Sequence, residues 1–246
     1  MTDRLKGKVA IITGGTGGIG LGIAECYVRE GAKVVLTDIK ETEESKHFLD
    51  ERGDQARFMA LDVTDEAQWQ DVIDKTIKAY GSLDIVVNNA GIAPKAVPID
   101  QEPYDDWKKV IRVNLDGTFL GVKHGMATMK GKGGSIINIS SIEGFVGMRF
   151  GGPYNASKGG SRSLTKAAAL DSAANGYNVR VNSVHPGFIK TPLLNDHLEK
   201  AMAELTPLGH IGDPDDIGEI CVYLGSDESK FAMGSEFVVD GGFIAQ

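Results

Sequence analysis

The chain has 246 residues, a formal charge of −8 and an isoelectric point near 5.2. That length suits one α/β domain with a sizeable core, and the acidic balance excludes a polyanion-binding surface, so no nucleic acid partner is expected. No apolar run reaches the length of a membrane span, residues 1–8 are charged and polar, and two cysteines, Cys26 and Cys221, make no disulfide framework. These features predict a cytoplasmic protein with no membrane contact and two buried free thiols. The five histidines show no metal-ligand spacing.

Short β-branched runs alternate with longer amphipathic segments to the end of the chain. Strands are predicted at Val9–Thr13, Lys33–Asp38, Ala56–Asp62, Ile85–Asn88, Ser135–Ser140, Val179–His185 and Glu236–Asp240. Helices are predicted at Ile19–Glu30, Glu41–Glu51, Glu66–Tyr80, Tyr104–Met129, Tyr154–Asn175 and Pro214–Leu224. Strict alternation implies a single doubly wound α/β domain over residues 1–246, a seven-stranded parallel sheet with helices on both faces, the Rossmann arrangement. Such sheets bind ligands at the carboxyl ends of their strands, near the switch in strand order.

The first strand runs into Thr13-Gly14-Gly15-Thr16-Gly17-Gly18-Ile19-Gly20. Glycines there permit a tight turn and close approach of the backbone to a pyrophosphate, which the following helix N-terminus stabilises. Gly14, Thr16, Gly17, Gly18 and Ile19 are the candidate contacts, with the Thr16 hydroxyl added to the phosphate cradle. The spacing Gly14, Gly18, Gly20 is wider than the usual dinucleotide fingerprint. The second strand ends at Asp38, where a carboxylate can accept hydrogen bonds from both adenosine ribose hydroxyls and repel a 2′-phosphate. Two unit charges ~4 Å apart at an effective dielectric of about 20 interact by roughly 4 kcal/mol, which favours NAD over NADP. Neither Gly17 nor Ile39 is basic, and only Lys40 stands close by to soften that preference. Asp62 and Val63 after the third strand, and Asn89, Ala90 and Gly91 after the fourth, continue the line of cofactor contacts; singly they also fit ordinary turn chemistry.

Tyr154 and Lys158 stand four residues apart on a predicted helix and so share one face. A nearby cation favours the ionised form of an acid, so Lys158 is expected to lower the Tyr154 pKa. Ser140-Ser141 ends the fifth strand, and His185-Pro186-Gly187-Phe188-Ile189-Lys190-Thr191 ends the sixth. A serine hydroxyl, a cation-activated phenol and a nucleotide cradle on one edge make a constellation for carbonyl reduction.

The chain resembles the short-chain dehydrogenase/reductase family over essentially its whole length. The resemblance rests on Thr13-Gly14-x-x-x-Gly18-x-Gly20, Asn88-Asn89-Ala90-Gly91, Asn114, Ser141, Tyr154-x-x-x-Lys158 and Pro186-Gly187. Ser140–Gly147, His185–Pro192 and Gly234–Gly242 are closest to the R-specific secondary-alcohol dehydrogenases of lactobacilli, which favour NADP; Asp38 departs from them. The resemblance implies that Tyr154 is the acid/base and that Ser141 binds the substrate oxygen. It implies that Lys158 tunes the phenol and holds the nicotinamide ribose, and that Asn114 kinks its helix and holds a water leading to Lys158. Pro186, Gly187, Ile189 and Thr191 are implied near the carboxamide. It further implies a homotetramer and, at Gln246, a ligand for Mg²⁺.

Glu143, Phe145, Phe188 and Leu193 are the candidate substrate-pocket residues, under a lid over residues 190–212 rich in leucine and methionine. Residues of that spacing also suit simple core. The activity this implies is reversible oxidation of secondary alcohols to ketones. Acetoin or diacetyl, polyol, steroid and 3-oxoacyl reductases share the catalytic set, and an inert NAD-sensing protein could use the same fold without needing it.

Overall fold

Seven apolar runs form the strands β1 (Val9–Thr13), β2 (Lys33–Asp38), β3 (Ala56–Ala60), β4 (Ile85–Asn88), β5 (Gly134–Ile139), β6 (Val179–Pro186) and β7 (Glu236–Val239). In the computed structural model, which describes residues 2–191, 194 and 196–246, all are parallel, in the order β3-β2-β1-β4-β5-β6-β7. Successive strand residues point to opposite faces, so both faces of the sheet must be covered. Ile12, Leu36, Val87 and Ile137 pack against α1 (Gly18–Arg29), α2 (Glu43–Arg52) and α8 (Pro214–Gly225). Ile11, Val35, Val86 and Ile136 pack against α3 (Glu66–Tyr80), α5 (Gly117–Met129) and α6 (Gly152–Ala174). The chain leaves β1 for β2 on one side and returns through β4 on the other, which opens a crevice at the carboxyl ends of β1 and β4.

Three boundaries differ from the sequence expectation in ways that matter to the site. The long helix predicted over Tyr104–Met129 is α4 (Tyr104–Ile111), a π turn over Arg112–Asp116, and α5. The Gly117 N–H donates to Arg112 O, five residues back, so one extra residue bulges out and Asn114 is turned inward, 1% exposed. β3 stops at Ala60, which leaves Asp62 and Val63 in the following loop. α6 begins at Gly152, so Tyr154 lies inside its first turn instead of opening it.

α7 (Asp196–Leu205) lies within the predicted lid and buries none of its described side chains. Leu193 lies outside the described residues. No helix among the described residues is long and apolar enough to cross a membrane. Cys26 and Cys221 are buried and free, and burial pushes both thiols up, Cys26 to about 12.

Candidate active site

The glycine turn after β1 is shaped by close approach. Gly14 and Gly18 have φ of +61° and +52°, in the left-handed region. A side chain on Gly14 would stand 2.9 Å from Ala90 Cα, and one on Gly20 would run into the Gly14 carbonyl. Asn89 stitches the β4 loop to this turn: its Nδ2 donates to Thr13 O (2.9 Å) and Gly14 O (3.0 Å). Thr13 Oγ1 accepts from the amides of Asn89 and Ala90, both at 3.0 Å.

α1 begins at Gly17 with no side-chain cap and no acidic residue in its first turn. By contrast, α2 and α3 are capped by Thr42 and Asp65 and carry glutamates. Uncapped amides, the positive end of the helix dipole and a glycine concavity fit a pyrophosphate. Thr191 lies over this turn, its Cγ2 3.3 Å from where a Gly18 Cβ would sit. Ile189 pairs with Gly212, and Gly187 N donates to Val239 O at 2.9 Å, so the segment after Pro186 returns across the crevice toward α1.

Thr16 departs from its predicted role. Its hydroxyl donates to Asp38 Oδ2 at 2.8 Å and so orients a carboxylate instead of facing a phosphate. The Ile39 amide donates to Asp38 Oδ1 at 2.8 Å, and the Thr42 hydroxyl donates to Thr16 O at 2.6 Å. Each carboxylate oxygen keeps one lone pair for a ribose hydroxyl. Sequence reasoning missed Glu44, whose Oε2 stands 3.9 Å from where a Gly17 Cβ would be and adds a second negative charge there. Lys40 is exposed and makes no ion pair among the described residues. Asp62 Oδ1 accepts from the Thr64 amide and hydroxyl, leaving Oδ2 for a ligand. The Val63 carbonyl is held by the Trp69 indole N–H at 3.0 Å.

At the other end of the crevice, Ser141 follows β5 and its hydroxyl accepts from the Glu143 amide at 3.1 Å. That bond occupies an acceptor site and leaves the Ser141 hydrogen free to be donated. The Ser140 hydroxyl donates to Lys158 O (3.0 Å), which fixes α6 against the end of β5. Lys158 is 4% exposed; its Nζ donates to Ile139 O at 2.9 Å and lies 5.4 Å from the Tyr154 ring centroid. Asn114 Oδ1 accepts from the Ile92 amide (2.8 Å), and its Nδ2 donates to Ile92 O (2.9 Å) and Ser157 Oγ (3.2 Å). Its carbonyl accepts from the Thr118 hydroxyl at 2.7 Å. The Asn114 side chain is thus engaged in holding the Gly91–Ile92 loop against α6, and its Oδ1 keeps a second lone pair open to a water.

The electrostatics correct one expectation. Burial pushes the Tyr154 phenol up to about 12; the Glu143 carboxylate adds to the rise and hydrogen bonding with the Ser141 hydroxyl opposes it. Lys158 stands beside the ring, 5.4 Å from its centroid. Burial brings its own ammonium down to about 8, against an upward pull from Glu143. The cation lies over the ring and bonds a carbonyl, so desolvation outweighs its attraction for a phenolate. Glu143 is itself raised by burial, with Lys158 opposing.

Two predicted pocket residues have structural partners. Phe145 packs edge-on against His185 with ring centroids 4.6 Å apart, and Arg162 lies 3.9 Å from its centroid. Phe188 packs edge-on against Phe243 at 5.2 Å. At the chain end Gln246 is exposed, and both Asp240 oxygens already accept from the amides of Gly242 and Ile244. No cluster of three or more acidic, histidine or cysteine side chains suited to a metal occurs among the described residues. Magnesium fills most of its six-oxygen shell with waters, and Gln246 offers it one side-chain oxygen here.

A nucleotide cradle, a carboxylate at the ribose position and a hydroxyl–phenol–ammonium set suit a nicotinamide dinucleotide and a carbonyl. Comparison with known proteins agrees. The profile of a family described as enoyl-(acyl carrier protein) reductase matches residues 14–244. An NADP-dependent (R)-specific alcohol dehydrogenase of Lentilactobacillus kefiri is 55% identical over 253 residues, all of both chains. A 3-alpha-(or 20-beta)-hydroxysteroid dehydrogenase of Mycobacterium bovis is 44% identical over 246 residues, all of this chain and 92% of that one. A cyclopentanol dehydrogenase of a Comamonas species is 38% identical over 250 residues, 98% of this chain and 99% of that one. The chain is an oxidoreductase of the short-chain dehydrogenase/reductase family.

Proposed function

We propose that the protein interconverts secondary alcohols and ketones with NAD(H), Tyr154 serving as the acid/base. The observation that carries this reading is the Ser141–Tyr154 pair beside Lys158, on the same strand edge as the uncapped N-terminus of α1. When bound, the dinucleotide supplies or accepts the hydride. Tyr154 gives its phenolic proton to the carbonyl oxygen in reduction and takes the hydroxyl proton in oxidation. Ser141 donates a hydrogen bond to that oxygen as charge develops on it. Lys158 binds the nicotinamide ribose, and Asn114 sets the Gly91–Ile92 backbone against α6.

NAD is favoured because Asp38 is held in place by Thr16 and Ile39, and Glu44 adds charge of the same sign. The Lentilactobacillus kefiri relative is named NADP-dependent, which makes the cofactor the sharpest point to test. The described part of the expected lid, residues 196–212, closes over the site in this reading, with Glu143 at its wall. A homotetramer is supported by exposed Phe119 and Leu170 on α5 and α6, where a surface cavity of about 310 Å³ lies between the helices.

A panel of secondary alcohols, methyl ketones, diketones, polyols and hydroxysteroids, each with NAD(H) and NADP(H), followed by absorbance at the nicotinamide band, tests the reading. Turnover with NAD(H) and a secondary alcohol or ketone is the expected result. No turnover with any member would sink it, and a preference for NADP would overturn the cofactor assignment alone.

A further inference from the structure

The proposed chemistry needs Ser141 held in place, and its own side chain is held only within its loop, by the Glu143 amide. His185 is fully buried near the end of β6, outside the proton-transfer set. Its Nδ1 lies 3.0 Å from the Ser141 carbonyl oxygen and its Nε2 lies 2.8 Å from Ser183 Oγ. A carbonyl can only accept, so Nδ1 carries the hydrogen, and Nε2 then accepts from the Ser183 hydroxyl. The Ser141 carbonyl therefore sets the tautomer, and the Ser183 hydroxyl satisfies the nitrogen left bare. Burial lowers the His185 pKa, and the cations Lys158 and Arg162 push the same way; both keep the ring neutral. Phe145 closes the ring's edge.

The Ser141 carbonyl accepts a second bond, from the Gly144 amide at 3.0 Å, so both its lone pairs are used. The Gly144 bond is local to the loop. His185 supplies the side-chain tie from that carbonyl to the neighbouring strand, β6. We infer that His185 is a positioning residue for Ser141, holding its hydroxyl at the substrate oxygen through the main-chain carbonyl, with Ser183 satisfying the far ring nitrogen. This rests on the role proposed above for Ser141.

The test is a double-mutant comparison in the full chain, with the best ketone of the panel and NADH. His185→Leu is expected to lower kcat by about 10- to 100-fold, as a misplaced reacting group does, with the dissociation constant for NADH unchanged. In an S141A background the same change should cost less than about threefold, because the hydroxyl it positions is gone. His185→Asn keeps an N–H close to the Nδ1 position and should retain kcat within about threefold of wild type. A purely structural histidine would cost the same factor in both backgrounds, and that result overturns the inference. If His185→Leu does not fold, Ser183→Ala takes its place, with several-fold loss expected in wild type and none in S141A; equal loss in both overturns it. If S141A alone leaves kcat unchanged, the proposed role of Ser141 fails and this inference with it, whereas a damaged S141A with additive His185→Leu defeats only the inference.

Discussion

The two halves of the strand-end crevice are made of different materials. Around β1 and β4 the ligand surface is main chain: glycines too crowded for a Cβ, amides left uncapped at α1, and Asn89 and Thr13 used only to hold backbone. Around β5 and β6 it is side chains, the buried Ser141 and Lys158 and the half-buried Tyr154, held by further polar groups such as Asn114 and His185. The first half has few titrating groups, and in the proposed function it discriminates by shape and by the charge of Asp38. The second half depends on burial, so its proton affinities move with any change of charge nearby. Substitutions in the two halves should therefore fail in different ways: binding and cofactor choice in one, turnover and pH dependence in the other.

The largest expected effect lies in the side-chain half. Tyr154→Phe removes the proton donor while leaving the ring beside Lys158, and kcat should fall by on the order of 10²- to 10⁴-fold. NADH affinity by fluorescence titration should stay close to wild type. Near wild-type turnover in the folded variant would remove the phenol from the mechanism. In the backbone half, Asp38→Asn removes the charge without changing shape. The ratio of kcat/KM for NAD over NADP should drop by on the order of 10²-fold, below the ceiling set by a close charge pair because exposed charges are screened. An unmoved ratio would mean that Asp38 does not face the ribose. Thr16→Val tests the same carboxylate more gently. Losing the 2.8 Å bond to Asp38 should lower that ratio by roughly fivefold, the worth of about 1 kcal/mol, with kcat unaltered. A fall in kcat would instead place Thr16 in the reacting half.

The contrast also explains what could be read from the sequence. The number of strands, their parallel arrangement, the two covered faces and the phosphate turn follow from alternation of β-branched runs and from glycine spacing, both local signals. The π turn at Arg112–Asp116 was legible only as the helix kink that the resemblance implied at Asn114, because a single inserted residue shifts the apolar phase of residues 104–129 without a breaker to mark it. Thr16, Glu143 and His185 act by where their side chains point across separate strands and loops, which no single segment encodes. Phe145 and Phe188 were placed in the pocket on polarity and position, yet each ring is engaged with an aromatic neighbour, His185 and Phe243. The buried polar residues of β5 and β6, Asn138, Asn182, Ser183 and His185, were the available warning. Polar side chains in a fully covered parallel strand must find partners, and their number already pointed to a hydrogen-bonded layer beneath the site.

The smallest effect separates the two halves by pH. Glu143 raises the Tyr154 phenol, after burial the larger cause, and also holds up the Lys158 ammonium, which burial has brought to about 8. In Glu143→Gln both pKa values fall. Alcohol oxidation needs the phenolate, so its rate climbs as pH approaches the phenol pKa, and lowering that pKa moves the climb to lower pH. A less cationic Lys158 works against this, but Glu143 acts on the phenol directly and only indirectly through Lys158, so the downward move wins. Below the pH at which Glu143 takes up its own proton, a point raised by its burial, wild type and variant carry the same charge at this position and their profiles should converge. The check is kcat/KM for oxidation across pH, with the NAD/NADP ratio as the internal control. A limb that stays put or moves to higher pH would show that Glu143 does not act on the phenol, and a changed ratio would show that the two halves are not independent.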